Sequence, residues 1–164
     1  MKHWKLYILS CIWGPVLAAQ IVLVLVFGFV NSTRISILVY ISYITWVISM
    51  IFGWLPIFTL KKKGGVEKGQ SYVHTTVLVT TGIYSIVRHP QYTAGILFSL
   101  ALMLFSQQWL IIAMGCIVIP LLYIDILMTD KHETEKFGEV YKKYMKEVPG
   151  TNFLLGLFRR MKRR

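Results

Sequence analysis

Charged residues are absent from three long stretches of the chain, and these gaps set its architecture. Leu6 to Thr33 contains no Lys, Arg, Asp or Glu, and neither does Ile35 to Leu60. Each exceeds the roughly 20 residues that cross a bilayer as a helix. A third uncharged run extends from His89 to Ile124, too long for one comfortable span at about 1.5 Å per residue. Ser106-Gln107-Gln108-Trp109 interrupts its middle. The pattern predicts a tight helical hairpin, about 92–105 and 109–127, with Gln107 and Gln108 at the turn; a single long tilted helix is the alternative. The fold class is therefore all-α: an integral membrane helical bundle of about four transmembrane helices, the last two a tight hairpin, plus a C-terminal amphipathic cytoplasmic helix. Two N-terminal membrane helices occupy 1–60, and the functional core occupies 61–164.

Composition agrees with that class. Of 164 residues, 55% are hydrophobic, too apolar for a soluble domain. Met1-Lys-His-Trp-Lys before an apolar run resembles a signal peptide, but the run continues to Val30, beyond a normal signal core, and reads as an uncleaved first span. The formal net charge is +11, and Arg34 is the one cation between the first two spans. The other cations lie at the N-terminus, in 61–88 and after 130. By the positive-inside rule both termini and the 61–91 loop are cytoplasmic. The final Arg-Arg-Met-Lys-Arg-Arg then lies against anionic headgroups. Topology and lipid contact account for the basic charge, so no nucleic-acid role is inferred, and no protein partner either. Cys11 and Cys116 fall inside spans without a CxxC pattern, which argues against disulfide or metal roles.

Function must then reside in the few polar segments. Residues 61–70 read as a flexible loop through Gly64, Gly65 and Gly69, and Gly82 marks a turn. Ser85-Ile-Val-Arg-His-Pro-Gln-Tyr-Thr-Ala-Gly95 is a polar knot at the mouth of the third span. Pro90 suits a first helical turn, with His89 at the N-cap and Arg88 beside it. Such a helix N-terminus with two basic side chains suits a carboxylate or phosphate. The competing account makes Arg88 a headgroup anchor and His89 a cap. Farther on, Asp125 lies between Ile124 and Ile126 at membrane depth, where an ionisable group is costly and a functional candidate. On a continuing helix Asp125, Thr129, His132 and Glu133 share a face. The hairpin should set Asp125–Glu133 opposite Arg88–Tyr92. Phe137, Val140, Tyr141, Tyr144 and Val148 form a second, apolar stripe that reads as an interfacial packing face. His89 and His132 alone make a weak metal site.

Leu78-Val-Thr-Thr-Gly-Ile-Tyr-Ser-Ile-Val-Arg-His-Pro-Gln-Tyr92, followed by Phe137-Gly-Glu-Val-Tyr-Lys-Lys-Tyr-Met-Lys-Glu-Val-Pro149, resembles the isoprenylcysteine carboxyl methyltransferase family and its related membrane phospholipid methyltransferases. The resemblance covers roughly Gln70 to Leu155. It implies a methyltransferase core in 61–164 that holds S-adenosylmethionine between the last membrane helices and the C-terminal segment. Tyr84, His89, Pro90 and Tyr92 match cofactor-contacting motif positions. Gln70 lies near another, and Thr76, Val77, Leu78 and Val79 align with a cofactor-binding stretch whose usual histidine is Thr76 here. Arg88 and Thr129 complete the expected cofactor set. The implied activity is methyl transfer to a lipophilic acceptor entering from the bilayer, with membrane lipids as the surroundings. Size and the absence of an organelle signal suggest a prokaryotic plasma membrane.

The chain departs from the family on the acceptor side. Where members carry an arginine that engages the prenylcysteine carboxylate, and two acids, this sequence has Asp125, Thr129 and Asp130. Asp125, Asp130 and Glu133 would repel an anionic acceptor and could take a proton from an amine, so they are the expected catalytic residues, with an amine- or neutral-headed acceptor. Pairing of Asp125 with Arg88 or Lys131 is the structural alternative. Membrane sterol reductases end similarly, but the acid they carry after RHP-x-Y is missing from Thr93-Ala94-Gly95-Ile96. An NADPH oxidoreductase and a non-catalytic scaffold are the alternative functions.

Overall fold

The computed structural model describes residues 4–65 and 75–162. Every regular element among them is helical. The first helix, α1 (Trp4–Ile21), continues into a π-helical turn over Val22–Val26. It is followed by α2 (Ser36–Lys63), a 3₁₀ turn at Gly82–Ser85, α3 (Pro90–Ser106), α4 (Trp109–Phe137), α5 (Glu139–Glu147) and α6 (Phe153–Lys162). The hairpin forms where expected, between α3 and α4, and the single long helix is excluded. Among the described residues, three helices are long and apolar enough to cross a membrane: α1 with its π turn, α2 and α4. α3 is shorter, with 17 residues, at the lower end of the roughly 17–25 that span a bilayer.

The turn explains the two glutamines. Gln107 adopts a left-handed conformation (φ 53°) and its N–H closes α3 on Met103 O. Its side chain accepts from Ile35 N at 2.8 Å and donates to Ile35 O at 3.1 Å, satisfying backbone groups where α2 begins. Arg34 lies over the Phe105 ring, 5.1 Å from its centroid. This end of the bundle is thus fastened by side-chain-to-backbone bonds.

Packing between spans relies on small and polar groups, because lipid gives apolar side chains no net reason to associate. α2 runs along α3, and α1 and α3 pack on α4. Ser49 Oγ donates to Ala94 O at 2.9 Å across the α2–α3 contact. Gln20, fully buried, donates to Ile111 O and accepts from Ser99 Oγ, both at 2.9 Å, and so joins α1, α3 and α4.

The C-terminal segment differs from the single amphipathic helix expected. It forms two helices, α5 and α6. Gly138 sits at φ 60° between α4 and α5, a backbone state that side-chain-bearing residues rarely adopt, and this breaks the helix after Phe137. Tyr141, Tyr144 and Val148 are buried against Leu78, Phe137 and Met145. Val140, by contrast, is 67% exposed. The apolar stripe is therefore a tertiary packing face, narrower than the sequence suggests.

Candidate functional site

The segment between the 3₁₀ turn and α3 is a short irregular strap. Arg88 N–H donates to Pro149 O and His89 N–H to Gly150 O, both at 3.0 Å, so the strap is laced to the chain beyond α5. Pro90 occupies the first turn of α3, and the His89 side chain makes no capping bond. The His89 ring instead points to Asp130 of α4, and its Nε2 donates to Oδ1 at 2.7 Å. Neither sequence account of His89, as cap or as free anion ligand, describes this arrangement.

Asp130 is the centre of a buried network. Its Oδ2 accepts from Arg88 Nη2 at 2.7 Å, and its Oδ1 accepts from Tyr141 OH at 2.6 Å as well as from His89. Arg88 Nη1 donates to Met145 O at 2.9 Å and Val148 O at 2.6 Å, satisfying carbonyls at the end of α5. Burial raises the Tyr141 phenol well above its ordinary range, and its bond to the Asp130 carboxylate raises it further. The phenol therefore stays a donor. One carboxylate thus ties together the strap, α4 and α5.

Beside this network lies a cavity of about 980 Å³. Its floor is the irregular 75–79 segment, with Thr76, Val77, Leu78 and Val79. Tyr84, Arg88, His89, Pro90 and Tyr92 form one wall, and Thr129 and Glu133 of α4 form the opposite wall. Tyr92 OH and Thr129 Oγ1 meet at 3.3 Å across the cavity's membrane-side end. The sequence expectation that the two ends of the hairpin converge is met by the contacts of Asp130 and Thr129 with Arg88, His89 and Tyr92.

Several expected site residues lie elsewhere. Asp130 does not line the cavity; its two oxygens are committed to three donors behind the wall. Asp125 is also absent from the lining. Its Oδ2 accepts from Trp13 Nε1 at 2.9 Å and Ser10 Oγ at 3.2 Å, both on α1, while Oδ1 is buried with no partner among the described residues. The expected alternative, pairing with Arg88 or Lys131, is not what forms either: the carboxylate of Asp125 faces neutral donors. Gln70 lies outside the described residues.

Other lining residues stand outside the expected set of site residues, although His132 shares the expected face of α4 and Phe137 the expected apolar stripe. Ser10 reaches the cavity from α1, and His132, Lys136 and Phe137 extend the α4 wall. Lys136 Nζ donates to Thr75 O at 2.6 Å, joining that wall to the floor. Tyr141 and Tyr144 line the cavity from α5, where Tyr144 OH donates to Tyr84 O. Tyr141 and Tyr144 share one face of α5, and Phe137 joins them from the end of α4 across the break at Gly138; that face packs on the protein and also lines the cavity. Ser10 had no signal, because it arrives through the packing of a distant helix.

A 980 Å³ cavity is at the large end of small-molecule sites. It presents aromatic faces, backbone groups of an irregular segment, the N-terminus of α3 and a carboxylate at Glu133. Such a lining accommodates a planar heterocycle at the tyrosines and a charged, zwitterionic end at the helix terminus.

Comparison with known proteins gives a consistent picture. The profile of the phospholipid methyltransferase family matches residues 19–143. A protein-S-isoprenylcysteine O-methyltransferase from Schizosaccharomyces pombe is 27% identical over 99 residues, covering 55% of this chain and 42% of the relative. The chain thus spans less than half the length of that curated relative. No solved structure matches. With the family profile covering the end of α1, all of α2 to α4, the strap and the start of α5, the chain belongs to the phospholipid methyltransferase family.

Proposed function

We propose that this chain is an integral membrane methyltransferase that uses S-adenosylmethionine and methylates a lipophilic acceptor with an amine or neutral headgroup. One observation carries the reading. A single cavity gathers Tyr84, His89, Pro90, Tyr92 and Thr76–Val79, the positions that the family resemblance assigns to the cofactor, although they are dispersed over seventeen residues of sequence. The residues fit the group: the tyrosine faces suit an adenine ring, and the first turn of α3 offers a positive dipole end to a carboxylate. The cofactor, when bound, supplies an electrophilic methyl on a sulfonium.

The protein's own part is positioning. Asp130 fixes Arg88, His89 and Tyr141, so the strap and α5 hold their walls at a constant separation. Tyr141 and Tyr144 line the cavity on the α5 side. An acceptor heteroatom aligned behind the methyl at contact distance gains several powers of ten in rate. With the cofactor bound, the lining would hold the acceptor heteroatom in line with the methyl, and Glu133, the carboxylate in the lining, would take the acceptor's proton. Asp125 and Asp130 are replaced in that role by Glu133, because neither reaches the cavity.

The acceptor class follows from the cations. Arg88 is engaged by Asp130 and two carbonyls, and Lys136 by Thr75 O. A carboxylate acceptor would meet Glu133 in the lining, while the Arg88 charge is balanced by Asp130. The cavity borders the end of the bundle that carries Lys61–Lys63 and Lys136, so the positive-inside rule gives it a cytoplasmic mouth. The test is titration of purified protein in nanodiscs with S-adenosylmethionine and, separately, NADPH, followed by turnover with labelled S-adenosylmethionine. Saturable binding of S-adenosylmethionine, with phosphatidylethanolamine methylated in preference to a farnesylcysteine analogue, is expected. NADPH binding alone would replace the methyltransferase reading, and efficient ester formation on the farnesylcysteine analogue would overturn the acceptor class.

A further inference from the structure

α6 (Phe153–Lys162) takes no part in the cavity, yet it is built with two distinct faces. One face is fastened to the protein. Phe153 packs against the Phe52 ring, with centroids 5.4 Å apart. Gly156 is buried so closely on the backbone carbonyl of Ile86 that any Cβ would overlap it. The other face is bare. Leu154, Leu157, Phe158 and Met161 are 67, 45, 62 and 63% exposed. At about 100° per residue these four form one continuous stripe. Arg159 and Lys162 flank the stripe on one side and Arg160 on the other, and all three lie in the last turn.

Depth decides what the stripe meets. Phe52 lies in the apolar body of α2, nine residues before Lys61, or about 14 Å along the helix axis at 1.5 Å per residue. A helix whose first residue contacts Phe52 therefore starts within the apolar depth of a membrane-spanning segment. Its exposed leucines and phenylalanine face acyl chains there, and its cations reach headgroup level, as interfacial helices do.

We propose that α6 is a docking element for anionic phospholipid, inclined from apolar depth at Phe153 to headgroup level at its last turn, in the leaflet on the Lys61–Lys63 side. The flanking cations select an anionic headgroup over a zwitterionic one. The seating of α6 also bears on the cavity wall, because Gly156 rests on Ile86 and the chain leading into α6 is laced to Arg88 and His89 through Pro149 and Gly150. The docking itself does not depend on which acceptor the enzyme methylates.

The test reads location rather than activity. In a Cys11→Ser/Cys116→Ser background, Met161→Cys is labelled with a small fluorophore in nanodiscs. Phosphatidylcholine or phosphatidylglycerol with brominated acyl chains is then titrated in. Quenching by both lipids is expected, with the brominated phosphatidylglycerol effective at a mole fraction at least about fivefold lower, the factor for one cation near an anionic surface. Arg159→Gln/Arg160→Gln/Lys162→Gln should reduce the preference several-fold while quenching by brominated phosphatidylcholine persists, and an unchanged preference would overturn the role given to these three cations. Quenching by aqueous iodide and not by lipid would show a solvent-facing helix and overturn the proposal. Self-quenching that requires two copies per disc would assign the stripe to a dimer contact and overturn it as well. Equal quenching by the two lipids in the parent protein would refute the anionic selectivity.

Discussion

Replacing Asp130 tests whether the site is organised by one buried carboxylate. Alanine removes the acceptor for Arg88 Nη2, His89 Nε2 and Tyr141 OH together. Arg88 then keeps its two carbonyl partners but loses its counter-charge in a location where its side chain is only 10% exposed. Breaking a buried ion pair from one side costs about 3–5 kcal/mol. Asparagine preserves the shape. Its oxygen still accepts from His89 or Tyr141, but its amide confronts Arg88 Nη2 as donor against donor. The loss is then one charge-assisted hydrogen bond, about 1.5–3 kcal/mol. The expected order of stability is parent, Asp130→Asn, Asp130→Ala, measured by denaturant unfolding in mixed micelles. A double-mutant cycle of Asp130→Asn with Arg88→Met isolates the pair and should show a coupling above about 1 kcal/mol. An alanine variant within about 0.5 kcal/mol of the parent, the range of ordinary surface changes, would refute the reasoning, as would a coupling indistinguishable from zero.

Two further outcomes are expected. Cysteines introduced at Gly65 and at Ser32, in a background free of Cys11 and Cys116, should label from opposite faces of oriented membrane vesicles, since α2 separates the two positions; labelling from one face would remove α2 as a span. Gln20→Leu should destabilise the bundle by about 0.6–1.7 kcal/mol, the range for a polar contact between membrane helices, because Ser99 Oγ and Ile111 O both lose their partner; unfolding in micelles measures it, and an unchanged midpoint would show that the contact contributes nothing net.

The sequence by itself determined the spans and the hairpin, because a charge within a bilayer is expensive and its absence over twenty or more residues admits few structures. It also located Arg88 to Tyr92 opposite the far half of α4, since a short turn after Ser106 makes the two helices antiparallel neighbours. The break at Gly138 and the division of the C-terminal segment into α5 and α6 were not anticipated, although a glycine after Phe137 was in view. The two acids of α4 show where local reading stops. Asp125 and Asp130 are five residues apart, about 500° of helical rotation, or some 140° after a full turn. They point to different sides of one helix. Spacing alone states that they diverge but not what each meets. Asp130 finds a cationic strap and a tyrosine of α5, while Asp125 finds Ser10 and Trp13 of α1, more than a hundred residues away in the chain. Which of them reaches the cavity depended on the packing of α1 and α5 around α4. Those contacts are made between side chains whose proximity leaves no periodicity in the sequence, so only the tertiary structure could decide that Glu133, and neither aspartate, faces the cavity.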